Sequence, residues 1–112
     1  MLLYKLTDSH DRTYGFCQWG ENVTHEVVWS GKFCGVGVIH CYTDLTLALM
    51  LNPIHGNFES PRVWQAQGDI LLSDNELKFG VARLTTLKEI LPLPQITIDQ
   101  RIKFGIMCAL AV

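Results

Sequence analysis

Residues 33–57 read FCGVGVIHCYTDLTLALMLNPIHGN, and this run imposes an order of elements on the chain. Residues 33–42 are apolar, β-branched and aromatic, with Gly35 and Gly37 inside them, which is the composition of a buried strand. Thr43 or Asp44 supplies an N-cap for an apolar helix over 45–51. Asn52-Pro53 supplies its stop, because the residue before a proline is driven out of helical backbone. Leu45, Ala48, Leu49 and Leu51 nearly encircle so short a helix, so it is expected to be mostly buried. A strand followed directly by a buried helix needs other strands to pack on.

Those strands are legible on both sides. Residues 2–6 form a short apolar strand, and TDSHDRT at 7–13 is a polar turn. Residues 14–19 are aromatic-rich and extended, 20–22 turn, and 23–29 alternate well enough to pair back as a hairpin. Residues 30–32 turn again, and 54–61 form a surface loop. Residues 62–73 hold a strand interrupted near Gly68, Asp74-Asn75 is a hairpin turn, and Leu77, Phe79, Val81 and Leu84 mark the return strand over 77–85. A single helical turn is predicted at 86–90, then an extended connector at Leu91-Pro92-Leu93-Pro94. Thr97 and Gln100 have capping-box spacing before a helix that runs to the end, with Ile98, Ile102, Ile106 and Leu110 four apart and Met107 on the same face. The chain stops on Leu110-Ala111-Val112 without a polar tail. That end is expected to dock into the core; truncation of a longer chain and an oligomer contact through 97–112 are the alternatives. The fold expected is α+β: a small, twisted, mainly antiparallel sheet, one short buried helix after the central strand, and a C-terminal helix. With 112 residues, it is read as one domain over 1–112 with one modest core.

Composition narrows the function classes. Apolar residues make up 48% and charged residues 18%, which argues against disorder. The net charge of −2, without a basic block, gives no reason to expect nucleic acid as a partner. No run of eighteen apolar residues occurs, so neither a spanning helix nor a membrane partner is expected. Residues 1–3 are too short for a signal-peptide core and lack a basic leader. A cytoplasmic location is therefore expected, with Cys17, Cys34, Cys41 and Cys108 as reduced thiols.

Reactive side chains concentrate at the strand–helix junction. His40, Cys41 and Cys34 are there, with Cys17, His25 and His55 elsewhere in the chain. No C-x-x-C pair occurs, and adjacent His40 and Cys41 on a strand point to opposite faces, so no metal and no cofactor is assigned. Cys41 with His25 or His55 could form a nucleophile–base pair, but no thiol-protease signature surrounds it, and no catalytic residue is assigned. The junction can also be read as an anion or nucleotide site. Free N–H groups at the helix start would bind the anion, and Gly35 and Gly37 would leave backbone bare nearby. The candidate ligand-binding residues are Gly35, Gly37, His40, Tyr42 and Asp44. Trp19, Trp29 and Trp64 are candidates for a protein-binding surface, with ordinary core packing the simpler reading of each ring.

Two resemblances arise from these residues. Tyr4-Lys5-Leu6-Thr7, then Gly37-Val38-Ile39-His40-Cys41 with one additional position between Gly and His, then Trp64 leading to Gly68-Asp69, resembles a group of small uncharacterised phage and bacterial domains over residues 2 to 90. Those domains start with a Tyr/Phe-Lys-x-Thr/Phe strand and carry a Gly-Phe/Val-His-Ala/Cys element; the resemblance implies no particular activity. The order of elements is also similar to the core of ADP-ribosyltransferases. There a first-strand His or Arg, an aromatic or Ser-Thr element and a late Glu are required, whereas this chain offers Tyr4 and Lys5, Ile39-His40, and Glu76 or Glu89 without a catalytic context. The function expected is a small intracellular phage or bacterial accessory domain that binds another protein. The alternatives are an ADP-ribosyltransferase-like nucleotide-binding domain with a repurposed site, and a structural head module of a longer chain.

Overall fold

The computed structural model describes residues 2–32, 37–55, 58–74 and 77–110. Strands β1 (Leu2–Thr7), β6 (Arg62–Gly68), β9 (Arg83–Glu89) and β4 (Val23–Glu26) form one antiparallel sheet in the order β1-β6-β9-β4. Strands β5 (Ile39–Cys41), β8 (Lys78–Val81) and β7 (Leu72–Asp74) form a second, in the order β5-β8-β7. The sheets meet twice. Only Ala82 separates β8 from β9, and Tyr4 and Tyr42 exchange two backbone hydrogen bonds, N to O at 2.8 and 2.9 Å, between β1 and the residue after β5. The strands therefore run round a circuit, β1-β6-β9/β8-β5 and back to β1. Helices α1 (Leu45–His55) and α2 (Ile98–Leu110) lie outside the sheets.

Two-residue periodicity sorts β1 between two cores. Leu3 points into the circuit with Ile39, Cys41, Ala66, Phe79, Val81, Leu84 and the indole of Trp19. Leu6 points the other way and packs with Tyr42, Ala48, Leu49, Leu51 and Val63, so α1 covers the outer face of β1 and β6. The short helix is thus buried and follows a strand, as its composition predicts, and the α+β class with mainly antiparallel pairing holds.

Several local expectations are corrected. Residues 14–19 do not form one strand. β2 (Arg12–Thr13) and β3 (Cys17–Gln18) pair across a 3₁₀ turn at Tyr14–Phe16, where Gly15 and Phe16 have φ of 76° and 61°. β4 ends at Glu26 and pairs with β9, not back onto residues 14–19, because β9 offers a long central strand needing a second neighbour. Of the strand read at 33–42, residues 39–41 are β5, while 33–36 lie outside the described residues. Helix α1 runs through Asn52-Pro53 to His55. The proline removes one N–H bond close to the helix end, and the buried Asn52 amide instead closes the loop: it donates to the Phe58 carbonyl at 2.8 Å and accepts the Phe58 N–H at 2.9 Å. Residues 86–89 are strand, not helical turn, because β9 pairs with β6 as far as Glu89, and with β4 up to Thr86. The break near Gly68 follows the reading, and β7 pairs with β8; Asp74, read as part of the turn, is the last residue of β7, and Asn75 and Glu76 lie outside the described residues.

The capping box of α2 is present: Thr97 N–H donates to Gln100 Oε1 at 2.9 Å, and Gln100 N–H donates to Thr97 Oγ1 at 3.1 Å. Core docking of that helix is corrected, because none of its residues is buried. It touches the outer core through half-buried Phe104.

The interior predicts a contrast. Leu84→Ala, which empties a fully buried position, is expected to lower the unfolding free energy by about 2–5 kcal/mol. Val28→Ala, at a residue 92% exposed, is expected to change it by under about 0.5 kcal/mol. Urea denaturation of the two variants measures both.

Candidate functional site

The strand–helix junction is packed. Asp44 is the N-cap: its Oδ1 accepts the Leu47 N–H at 2.9 Å, and its carbonyl accepts the Ala48 N–H at 3.1 Å. A carboxylate therefore occupies the place where an anion was expected, and it both uses a free donor and repels negative charge. Gly37 is a packing glycine. Its carbonyl accepts the Ser30 N–H at 3.0 Å, and a Cβ at this position would overlap the Ser30 side chain and lie 2.7 Å from its backbone nitrogen. Gly35 lies outside the described residues. Tyr42 is buried against α1, and its hydroxyl is pushed up to about 12, first by burial and then by nearby Cys41. His40 is half-buried on the strand face opposite Cys41, as the alternation requires.

An open cleft of about 570 Å³ does lie beside this junction, lined by Thr43, Asp44, Thr46, Leu47, Met50, Phe79 and Phe104. Of the four ligand-binding candidates among the described residues, only Asp44 lines it. Its remaining walls are mainly apolar, and among the described residues no basic side chain lines it to pair with a phosphate.

The three tryptophans separate. Trp19 is buried in the inner core, its Nε1–H donates to Thr13 Oγ1 at 3.1 Å, and its ring meets His25 edge-on at 4.6 Å. Trp64 is buried on β6 with Nε1–H donating to Asp11 Oδ1 at 2.9 Å. A docking surface needs exposed rings, so the combined tryptophan surface is corrected: only Trp29, 37% exposed, meets solvent appreciably.

The group that sequence reasoning overlooked is Lys5. It pairs across the sheet with Trp64, shares the inward face with Leu3, and is only 7% exposed. Its ammonium donates to the His40 carbonyl at 2.6 Å and lies 5.5 Å from the Trp19 ring centroid. Among the described residues, no carboxylate forms an ion pair with it. Burial lowers its pKa from 10.5 to about 8, with Cys41 and then Cys17 opposing that shift. Burial pushes the Cys41 thiol up to about 11, with Lys5 opposing, so Cys41 stays protonated and inert at neutral pH. Near neutrality a fraction of Lys5 is free amine, with the chemistry of a base or nucleophile, but it is enclosed beneath Trp19. A lysine inside a short apolar strand leaves one signal, its place in the alternation with Leu3 and Thr7.

The hairpin above Lys5 is tied down by Asp11, which stands at φ 61°. Its carboxylate accepts from Arg62 Nη1 at 3.0 Å and from Trp64 Nε1, and its carbonyl accepts the Trp19 N–H at 2.7 Å. His25 sets Nε2 on the Gln18 carbonyl at 2.5 Å, which holds the ring beside Trp19. The side chain of His55 lies outside the described residues. Among the described residues, no group of three or more His, Cys, Asp or Glu side chains is arranged to hold a metal. None of the described helices is long and apolar enough to cross a membrane.

The buried amine predicts an unusual pH dependence. Folded Lys5 loses its proton near pH 8 while the unfolded chain keeps it to 10.5, so this residue's contribution to stability rises across that window. Cys41 acts oppositely: its folded pKa lies above its ordinary 9.0, so its contribution falls as pH rises through about 11. Urea unfolding under reducing conditions at about pH 7 and about pH 9 is expected to show a gain in wild type that Lys5→Met lacks. Equal pH dependence in the two proteins would mean that Lys5 is solvated.

The chain matches no protein-family model, no curated protein and no solved structure, so a function for these groups has to be argued from their own chemistry.

Proposed function

We propose that this chain is a small protein-binding domain of the phage or bacterial accessory kind, and that its contact element is the outward face of α2. The observation that carries the reading is the exposure of that face: Ile98 is 76% exposed, Ile102 and Ile106 55% each, Met107 67% and Leu110 81%. Isolated exposed apolar residues need no explanation, but five on one capped helix form a contiguous ridge of the kind that seats in a partner. Phe104 anchors the helix to the body, so the ridge is presented on a supported element. Cys17, Cys41 and Cys108 are free thiols, which supports a reducing, intracellular setting.

The same face would serve a structural head module in which the covering segment belongs to a longer chain. The nucleotide-binding alternative asks for a deep pocket lined by Gly35, Gly37, His40 and Tyr42 with a carboxylate within reach, and Gly35 lies outside the described residues. Gly37 packs on Ser30 and Tyr42 packs on α1, so that reading gains no support from the site.

The test compares the immobilised wild-type chain with an Ile102→Glu/Ile106→Glu variant in cell extract. Proteins retained by wild type are expected to be lost at least tenfold from the variant, because a desolvated, unpaired carboxylate costs several kcal/mol. Identical sets of retained proteins would overturn the assignment of binding to α2.

A further inference from the structure

We propose that the outward face of α2 is covered by α2 of a second copy of this chain, in an antiparallel, two-fold-symmetric pair. This rests on the protein-binding reading above and names its partner.

The direction of the face comes first. Phe104 and Cys108 are the half-buried positions of α2, and Phe104 packs on the outer core. Ile102 and Ile106 each stand two residues from Phe104, and at about 100° per residue that is about 200° round the helix. The ridge therefore points directly away from the body, and the described residues of its own chain do not cover it.

Its symmetry indicates the occupant. Ile98, Ile102, Ile106 and Leu110 are evenly spaced about position 104. An antiparallel copy sets Ile98 against Leu110 of the second copy and Ile102 against its Ile106, so each ridge residue meets another. That self-complementarity is what a two-fold interface requires. Residues four apart are also the ridges that interdigitate in the commonest mode of helix packing. Ala109 lies within the ridge and Gly105 on its flank, where a Cβ would find nothing within 4 Å, so a second backbone can come close. Lys103 falls at the margin and Arg101 behind it, and Asp99 lies on the face at its N-terminal end, so Ile102 and Ile106 at the middle of the contact meet without a charge between them.

The area is consistent with a reversible pair. Burying a large aliphatic side chain removes roughly 100 Å² from water, so the four ridge residues of each copy give about 800 Å² in total. That is the size of a weak, transient contact and implies micromolar or weaker association.

Sedimentation velocity across about micromolar to millimolar concentration tests this with the full chain. Wild type is expected to move from 12.7 kDa toward twice that mass. Ile102→Lys alone and Ile106→Glu alone are each expected to stay monomeric, since each sets a buried charge against isoleucine. An equimolar mixture of the two is expected to restore a dimer, because only the antiparallel register places the introduced lysine of one chain against the introduced glutamate of the other. Circular dichroism confirms folding, which these half-exposed positions should not disturb. Wild type that stays monomeric throughout, singles that dimerise like wild type, or a mixture that fails to recover would each overturn the proposal. Monomeric wild type with proteins still retained through Ile102 and Ile106 would remove the self-pairing alone; loss of both would remove the binding reading as well.

Discussion

Two backbone hydrogen bonds between Tyr4 and Tyr42 hold the two sheets of this domain to one another at β1 and β5. Without them β5 would belong only to the three-stranded sheet, and the inner face of β1 would open to water. With them, one layer of side chains is enclosed and Tyr42 turns outward onto α1. The chain leaves this bridge through Thr43 straight into the Asp44 cap, so the same two bonds set where α1 begins and which face of β1 it covers. The helix is a consequence of the closure as much as of its own leucines.

Closure has a cost in the interior. Lys5 occupies an inward position where a hydrophobe would fit the alternation, and it is held by one carbonyl and an indole face in place of a carboxylate. Burial of the ammonium, with no carboxylate paired to it among the described residues, is what lowers its pKa. The cover over it is the β2–β3 hairpin, whose position depends on Asp11 joining Arg62 and Trp64 and on Trp19 packing at the centre. The polar groups of this end of the molecule thus form one connected arrangement built round a buried cation.

The outer end has the opposite character. The inner core is closed and the junction is packed, whereas α2 presents apolar side chains to solvent. A helix that touched the body through its ridge would bury Ile102 and Ile106 and expose Phe104; the reverse orientation is observed. The interior accounts for how the domain stays folded, and α2 carries five of the exposed large apolar side chains.

Features that depend on residues near one another in the chain were legible in the sequence alone. These include the strand–helix order after Tyr42, a cap at Thr43 or Asp44, the capping box at Thr97 and Gln100, the opposed faces of His40 and Cys41, and the apolar ridge of α2. Each follows from side-chain periodicity or from a hydrogen bond spanning three residues. Tertiary structure decided which strands pair and which groups are enclosed. Residues 86–89 became strand because β6 pairs with them, joined by β4 at Thr86, and neither neighbour is visible from their local composition. Lys5 became buried, and Trp19 and Trp64 became interior, because positions 35 to 53 residues apart meet there. Whether a side chain faces water depends on the pairing partner across the sheet, and that partner is chosen by the burial of the whole circuit, not by the neighbours in sequence.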